Sequence, residues 1–235
     1  MKKKLPIVVL IAILAVACVG TVVTYANIQH SEFLLAGETA ADTADGDVYA
    51  TVNGRPVYQG QVERAMQTEE LMYESSLQLI EIGGYLTEEE MAEYEAAYPP
   101  PTQEEVEQRL LREALLTGLA EERGLSVTEE EAREYADNIN ETLEAMEAEG
   151  DASAQYMLDS LETYAAGMGM TYEEYTEEIL VPTWRDALLR DKLYDQVIAE
   201  AAQSPSAQSV DADAQEEIWE AFVAQAMAEA EIVYP

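Results

Sequence analysis

The spacing of apolar residues divides the chain into three parts. Residues 5–25 contain no charged side chain, and a helix of that length would span a hydrocarbon core of about 30 Å. Residues 27–46 are rich in Ala, Thr, Asp and Glu and show little periodicity, which is typical of a flexible tether. Later apolar positions recur at helix or strand spacing. We therefore predict a membrane anchor or signal segment at 1–26, an acidic flexible tether at 27–46 and a folded domain at 47–235.

The folded domain is predicted to be mainly α-helical, with a short strand at each end. Residues 48–52 are mostly β-branched or aromatic, and Asn53-Gly54 directly behind them favours a tight turn. A helix of about twenty residues follows and ends at Gly83. Residues 231–234 form an extended, strand-like tail. We expect the two terminal strands to pair in a small β-sheet.

Four later helices begin with the same signal, a Thr followed three residues later by a Glu. The Thr hydroxyl can accept a hydrogen bond from the backbone N–H of the third helical residue, while the Glu reaches back to the Thr N–H. These four residues are Thr87, Thr102, Thr128 and Thr171. Apolar periodicity predicts two more helices, one at 152–166 and a last one around 218–227.

Proline marks two interruptions of this helical pattern. The triple proline at 99–101 separates the second predicted helix from the third. Pro182 lies inside the long helix predicted for 172–202, where a missing N–H and a steric clash predict a kink or a break. Residues 203–210 are polar and are predicted to form a linker before the last helix.

The apolar segment at 5–25 is predicted to place the folded domain outside the cytoplasm. Lysines precede the segment and an acidic stretch follows it, as the positive-inside rule requires. Its length favours an uncleaved anchor over a signal peptide. Two processed forms stay open: a secreted form cleaved at 24–26, and a lipoprotein modified at Cys18, since residues 15–18 resemble a lipobox. Residues 33–35, Phe-Leu-Leu, are interpreted as a contact with the membrane interface or as a docking peptide.

Composition excludes several classes of function. With 12 basic and 48 acidic residues the formal net charge is −36, which excludes nucleic acid as a partner. The acidic residues are expected to form solvated helix faces, which would also gather calcium diffusely. A single Cys and a single His, Cys18 and His30, provide neither a zinc site nor a disulfide framework, and both lie outside the predicted domain. We predict no cofactor, no defined metal site and no catalytic residue.

Methionine and tyrosine are the residues most suited to a binding function in this chain. Methionine adapts to many shapes, and tyrosine combines an apolar ring with a hydrogen-bonding hydroxyl, so both suit a surface that holds unfolded polypeptides. The candidate client-binding residues are Met66, Met72, Tyr73, Met91, Tyr94, Tyr98, Met168, Met170 and Tyr172. The region of Met91, Tyr94 and Tyr98 is favoured, because it is a short element between Gly-Gly and triple Pro. The alternative is that these side chains pack in the core.

Three motifs, taken in order, resemble the SurA N-terminal-like chaperone domains of exported peptidyl-prolyl isomerases, including the PrsA foldases. Residues 50–57, Ala-Thr-Val-Asn-Gly-Arg-Pro-Val, are similar to the strand and Asn-Gly turn that open these domains. Residues 107–128 resemble their helix of paired leucines with its Gly ending and Ser-Val-Thr lead. Residues 169–175, Gly-Met-Thr-Tyr-Glu-Glu-Tyr, resemble the entry to their long helix. The resemblance covers about 47 to 234.

The resemblance implies a chaperone without an enzyme activity. Members of this family commonly insert a parvulin isomerase domain after the long helix, and here that place holds only the linker at 203–210. We expect a membrane-anchored, extracytoplasmic chaperone of the holdase or foldase type that binds unfolded or newly exported proteins. The alternative is a membrane-tethered adaptor or structural subunit that docks one specific partner protein.

Overall fold

The structure is a computed structural model that describes residues 29–43, 46–82, 86–203 and 212–235. The predicted membrane segment at 5–25, with Cys18 and the cleavage site at 24–26, lies outside the described residues. So does most of the predicted linker at 203–210. In the described part of the chain, no helix combines the length and the apolar character that crossing a membrane requires.

Helices dominate the described residues, as the sequence predicts, and three short strands form one sheet. The elements are α1 (Gln29–Asp42), β1 (Val48–Val52), β2 (Arg55–Tyr58), α2 (Gln59–Ile82), α3 (Glu88–Ala97), α4 (Gln103–Glu122), α5 (Glu129–Ala148), α6 (Ala152–Gly167), α7 (Tyr172–Tyr175), a π-helical turn (Thr176–Leu180), α8 (Val181–Ala202), α9 (Ala212–Glu229) and β3 (Ile232–Val233).

Helix α1 corrects the prediction of a flexible tether at 27–46. It packs against α6 and buries Phe33, Ala36 and Ala40 in the main core. Leu34 and Leu35 remain exposed. The prediction failed because most of the buried positions in α1 carry small residues, whose apolar pattern is weak although they allow a close helix contact.

The sheet joins the two ends of the domain. Strand β1 lies in the middle and pairs antiparallel with β2 on one side and β3 on the other. Asn53 and Gly54 form the hairpin turn with positive φ angles, a conformation that favours these two residue types. The Asn53 side chain also accepts a hydrogen bond from the Glu231 N–H at 2.8 Å, and the Asn53 N–H donates to the Glu231 carbonyl at 2.9 Å. The predicted pairing of terminal strands is confirmed.

The predicted helix starts are also confirmed. Each of the four helices α3, α4, α5 and α7 begins with a complete capping box. In α5, for example, the Thr128 hydroxyl accepts a hydrogen bond from the Glu131 N–H at 3.1 Å, and the Glu131 carboxylate accepts one from the Thr128 N–H at 2.7 Å. These contacts are local, which is why the sequence alone locates them.

The predicted interruption near Pro182 takes the form of a π-helical turn. In this turn the Val181 N–H donates to the Thr176 carbonyl, five residues earlier. Pro182 is the second residue of α8, directly after this turn, and has no N–H to donate to it. The long helix therefore continues through the proline with one widened turn instead of ending there.

Three core clusters hold the elements together. The main cluster joins α1, α5, α6 and the region around the π-helical turn, and includes Tyr156, Tyr175 and Trp184. A second cluster packs the sheet on α2 and α4 around Val62 and Leu111. A third joins α4, α8 and α9. Helix α4 contributes buried residues to the second and third clusters. It therefore lies between the sheet and the carboxyl-terminal helices.

Candidate client-binding surface

Helix α3 leaves its side chains at the surface. None of the side chains described between Glu89 and Ala97 is buried, and Met91 and Tyr94 are only partly covered. Tyr98, the residue directly after the helix, is 61% exposed. The capping box at Thr87 fixes the start of the helix. Helix α3 therefore owes its form to local hydrogen bonds more than to burial.

Three of the predicted tyrosines come together at this helix. The rings of Tyr94 and Tyr98 lie 4.9 Å apart between centroids, at an interplanar angle of 39°. The pKa of Tyr94 is raised, chiefly by burial and further by the neighbouring hydroxyls of Tyr98 and Tyr73. Tyr73 belongs to α2, so the cluster bridges α2 and α3. The raised pKa keeps the Tyr94 hydroxyl protonated and able to donate a hydrogen bond.

A groove of about 600 Å³ begins at Tyr98, and we call it the proline groove. Its lining residues are Glu69, Ala97, Tyr98, Pro99, Pro100, Pro101, Thr102, Glu105, Val106 and Arg109. The proline rings supply its apolar surface, and Val106 beside them is almost fully buried. At one side Arg109 donates to Glu69 at 2.6 Å, which joins α4 to α2 across the groove.

Other predicted residues lie apart from α3. Met72, Met168, Met170 and Tyr172 pack against the main core cluster and are partly buried. The Tyr172 hydroxyl donates to Asn140 Oδ1 at 2.7 Å, and burial raises its pKa to about 12. These four residues agree with the core interpretation that the sequence left open. Met66 is partly buried on α2.

The triple proline was predicted only to separate two helices and not to form a binding surface. In the structure, all three prolines of residues 99–101 lie on the wall of the groove. The signal was present, because three consecutive prolines beside a tyrosine form an exposed apolar segment that cannot continue a helix. Val106 and Arg109 could not be assigned in this way, since helix periodicity does not show which face of α4 meets a groove.

Two glutamates near this surface accept hydrogen bonds within helix caps. The pKa values of Glu90 and Glu105 are lowered by hydrogen bonds from the backbone N–H and hydroxyl groups of Thr87 and Thr102. Both carboxylates are therefore charged at neutral pH.

Among the residues that the structure describes, no group of three His, Cys, Asp or Glu side chains is arranged to hold a metal ion.

Comparison with known proteins agrees with the fold and with the motifs in the sequence. A family model described as the SurA-like N-terminal domain matches residues 1–193, and no parvulin domain is detected. No curated protein matches the chain, and no solved structure matches it. The family match covers most of the sequence, including every element from α1 to the greater part of α8. The chain thus belongs to the SurA-like N-terminal domain family.

Proposed function

We propose that this protein is an extracytoplasmic holding chaperone, anchored by residues 5–25, that binds unfolded or newly exported polypeptides and has no isomerase activity. Membership of the SurA-like N-terminal domain family supports the chaperone class. The proposed lack of isomerase activity rests on the short linker at 203–210, which takes the place of the parvulin domain of related proteins. Anchoring rests on the uncharged run at 5–25.

The observation that carries the proposal is the Tyr94 and Tyr98 pair beside the proline groove. An unfolded client offers apolar side chains and unpaired backbone groups, and a holding surface must cover the first without reading a fixed sequence. The tyrosine and proline rings provide apolar area for that purpose. The tyrosine hydroxyls can bond to client backbone, because each has a polar tip on an apolar ring.

The carboxylates at the rim have a separate role in this proposal. Glu69 and Glu105 line the proline groove together with its apolar residues. Charged groups beside an apolar surface keep the free protein soluble and limit association between copies. Because no described side chain of α3 is buried, small shifts of this helix cost little, and the groove can adapt to clients of different shape.

The test is suppression of client aggregation by the full chain and by the double variant Tyr94→Ala/Tyr98→Ala. Two unrelated denatured proteins, one basic and one acidic, serve as clients. We expect the double variant to need several-fold more protein for equal suppression, because the exposed rings are lost. Its melting temperature should stay close to that of the wild type, since Tyr94 is only partly covered and Tyr98 is 61% exposed.

Tyr234→Ala is the matched control. Tyr234 is 54% exposed, close to the 61% of Tyr98, and its ring also forms a pair, 5.7 Å from Tyr49 between centroids. We expect Tyr234→Ala to suppress aggregation as well as the wild type does. An equal loss of aggregation suppression in both variants would show that any exposed tyrosine contributes and that the proline groove is not the site.

Two further outcomes would contradict the proposal as a whole. Failure of the wild type to suppress aggregation of either client, together with copurification of one stoichiometric protein, would favour the adaptor function. Acceleration of proline isomerisation in a parallel assay would contradict the proposed lack of isomerase activity.

A further inference from the structure

Two adjoining cavities continue along α4 beyond the proline groove. The first, of about 370 Å³, is lined by Arg109, Arg112, Glu113, Leu116, Arg190, Asp191, Tyr194 and Trp219. The second, of about 160 Å³, is lined by Arg55, Pro56, Val57, Gln61, Leu110, Glu113, Ala114, Thr117, Asp186 and Arg190. Because Glu113 and Arg190 belong to both, we treat the two as one feature and call it the arginine groove.

The arginine groove adjoins the proline groove at Arg109, which lines both. Helix α4 supplies one wall throughout, from Val106 in the proline groove to Thr117 at the far end of the arginine groove. An extended polypeptide could therefore lie along α4 and contact both grooves.

Positive charge is concentrated in this groove to a degree that is unusual for the chain. The chain has 12 basic residues, of which three are the lysines at 2–4, leaving nine in the remainder. Four of these nine line the arginine groove: Arg55, Arg109, Arg112 and Arg190. The same groove is lined by Glu113, Asp186 and Asp191, so four arginines and three carboxylates give its lining a formal charge of +1, in a chain whose net charge is −36.

Among the residues that the structure describes, Arg190 differs from the other three arginines in forming no ion pair within 4 Å. Arg55 pairs with Glu121, Arg109 with Glu69 and Glu113, and Arg112 with Glu220. Within the described ranges, no carboxylate oxygen lies within 4 Å of the Arg190 guanidinium, although Glu113, Asp186 and Asp191 line the same groove. Arg190 still attracts the neighbouring carboxylate of Asp191 electrostatically, so a carboxylate from outside would bind it without breaking an ion pair but would share it with Asp191.

Apolar surface lies next to this guanidinium. Leu116, Tyr194 and Trp219 line the same cavity as Arg190. The rings of Tyr194 and Trp219 meet edge to face, 5.3 Å apart between centroids. A ligand that fits both features carries a carboxylate beside an apolar side chain.

We infer that the arginine groove binds acidic segments of client polypeptides, with a client carboxylate on Arg190 and a neighbouring apolar side chain against Trp219. This inference rests on the proposed function only in taking a polypeptide as the ligand. The groove would prefer acidic ligands, whereas the negative net charge of the protein favours basic ones. The acidic surface repels acidic clients at long range, whereas the groove attracts their carboxylates at contact distance.

The test uses Trp219 as an intrinsic reporter. The chain has two tryptophans, and Trp184 is buried at 7% exposure, so a ligand in the groove should change mainly the fluorescence of Trp219. The probe is an unstructured peptide of Leu and Glu without aromatic residues, added to the full chain. We expect a saturable fluorescence change that disappears in Trp219→Phe. A peptide with Gln in place of Glu should bind about tenfold more weakly.

Arg190→Gln is the decisive variant. It should weaken binding of the Leu and Glu peptide about tenfold and leave binding of the Leu and Gln peptide unchanged. Arg133→Gln removes the same charge from an arginine that pairs with Glu129 and Glu177 outside the groove, and it should bind both peptides as the wild type does. Equal binding of the Leu and Glu peptide by the wild type and Arg190→Gln would overturn the inference. So would a preference of the wild type for the Gln peptide.

Failure of this inference can be told apart from failure of the proposed function. Aggregation suppression by the wild type with no fluorescence response to either peptide would overturn the arginine groove as a site and leave the holding function intact. A response that depends on Arg190, in a protein that suppresses no aggregation, would overturn the holding function and support the groove.

Discussion

Helices α1 and α3 contain 14 and 10 residues and bury very different shares of their side chains. In α1, Phe33, Ala36 and Ala40 lie in the main core, whereas none of the described side chains of α3 is buried. The sequence predicts a helix at α3 from its capping box, and a flexible tether in place of α1, whose apolar pattern is weak. A well-marked helix need not be a well-packed one, because capping is local and packing depends on distant residues.

The contact between α1 and α6 is close enough to bring two glycines together. A Cβ atom on Gly37 would lie 2.3 Å from the Tyr164 carbonyl oxygen and 2.9 Å from the Gly167 Cα. A Cβ atom on Gly167 would lie 2.3 Å from the Leu34 carbonyl oxygen. The two backbones therefore meet where neither helix can accept a side chain. Such close packing makes α1 part of the domain and distinguishes it from α3.

The largest effect is expected from Gly37→Ala, which would break this contact. The substitution should lower the free energy of unfolding by about 1–3 kcal/mol, because the added methyl group collides with backbone atoms that cannot move separately. Within an ordinary helix the same change stabilises by about 1 kcal/mol. Urea unfolding of the full chain, followed by circular dichroism, measures the difference.

Gly118→Ala is the control for this prediction. Gly118 lies within α4, and the nearest atom to its added Cβ would be the Arg55 Nε at 3.8 Å, an ordinary contact distance. This variant should gain about 0.5–1 kcal/mol in stability. If Gly37→Ala gained stability as well, the close packing of α1 on α6 would be contradicted.

A smaller effect is expected from removing helix caps. Its size should distinguish the exposed helix α3 from α5, which packs in the core. Thr128→Ala, at the start of α5, should cost about 1 kcal/mol in the free energy of unfolding. Helix α5 buries Ala132, Ala136 and Leu143, so its end cannot loosen without disturbing the core. Thr87→Ala removes the same capping box from α3 and should change global stability by less than about 0.5 kcal/mol.

Amide hydrogen exchange provides the second measurement for the cap variants. In Thr87→Ala we expect faster exchange within α3 alone, whereas Thr128→Ala should speed exchange in α5 and its neighbours. Equal losses of global stability in the two variants would show that α3 is coupled to the core as tightly as α5.

The smallest effect concerns pH and the carboxylates of the same two caps. Glu131 has a pKa of about 2, lowered first by a hydrogen bond from Lys192 and then by those from Thr128. Glu90, in the α3 cap, has its pKa lowered by Thr87 alone. Since each pKa is lower in the folded state, each stabilising contribution is present above the unfolded pKa of about 4.3. The Glu131 contribution is lost as pH falls toward about 2.

Carboxyl NMR titration of the wild type and of Lys192→Met measures this difference. The variant should raise the pKa of Glu131 and leave that of Glu90 unchanged, because only Glu131 accepts a hydrogen bond from Lys192, at 2.8 Å. An unchanged Glu131 pKa in Lys192→Met would show that the threonine cap accounts for the whole shift.

The sequence predicts those parts of the fold that depend on nearby residues. The four capping boxes and the Asn53-Gly54 turn are all encoded within a few positions. Helix α1 could not be predicted in this way, because its stability depends on Gly167 and on other residues of α6, far along the chain. The π-helical turn was predicted only as an interruption, since Pro182 forbids one hydrogen bond without specifying how the helix adjusts.

The candidate site likewise combines features that the sequence predicts with features that depend on the three-dimensional structure. Tyr94 and Tyr98 could be selected from composition and from their position between Gly-Gly and triple Pro. Neither groove could be predicted, because each is formed by side chains from several elements. That Arg190 forms no ion pair with any described residue is a property of three-dimensional distance, and a chain with 48 acidic residues gives no sign of it.

The pairing of β1 with β3 has a consequence for the order in which a growing chain folds. The hydrogen-bonded residues Asn53 and Glu231 are separated by 178 positions. A chain synthesised from its amino terminus would form the hairpin of β1 and β2 early and leave the other edge of β1 open. Ile232 and the nearby Ala226 and Met227 complete the second core cluster only when they arrive. Because closing so long a loop is slow, completion of the sheet is a late step in the maturation of the protein.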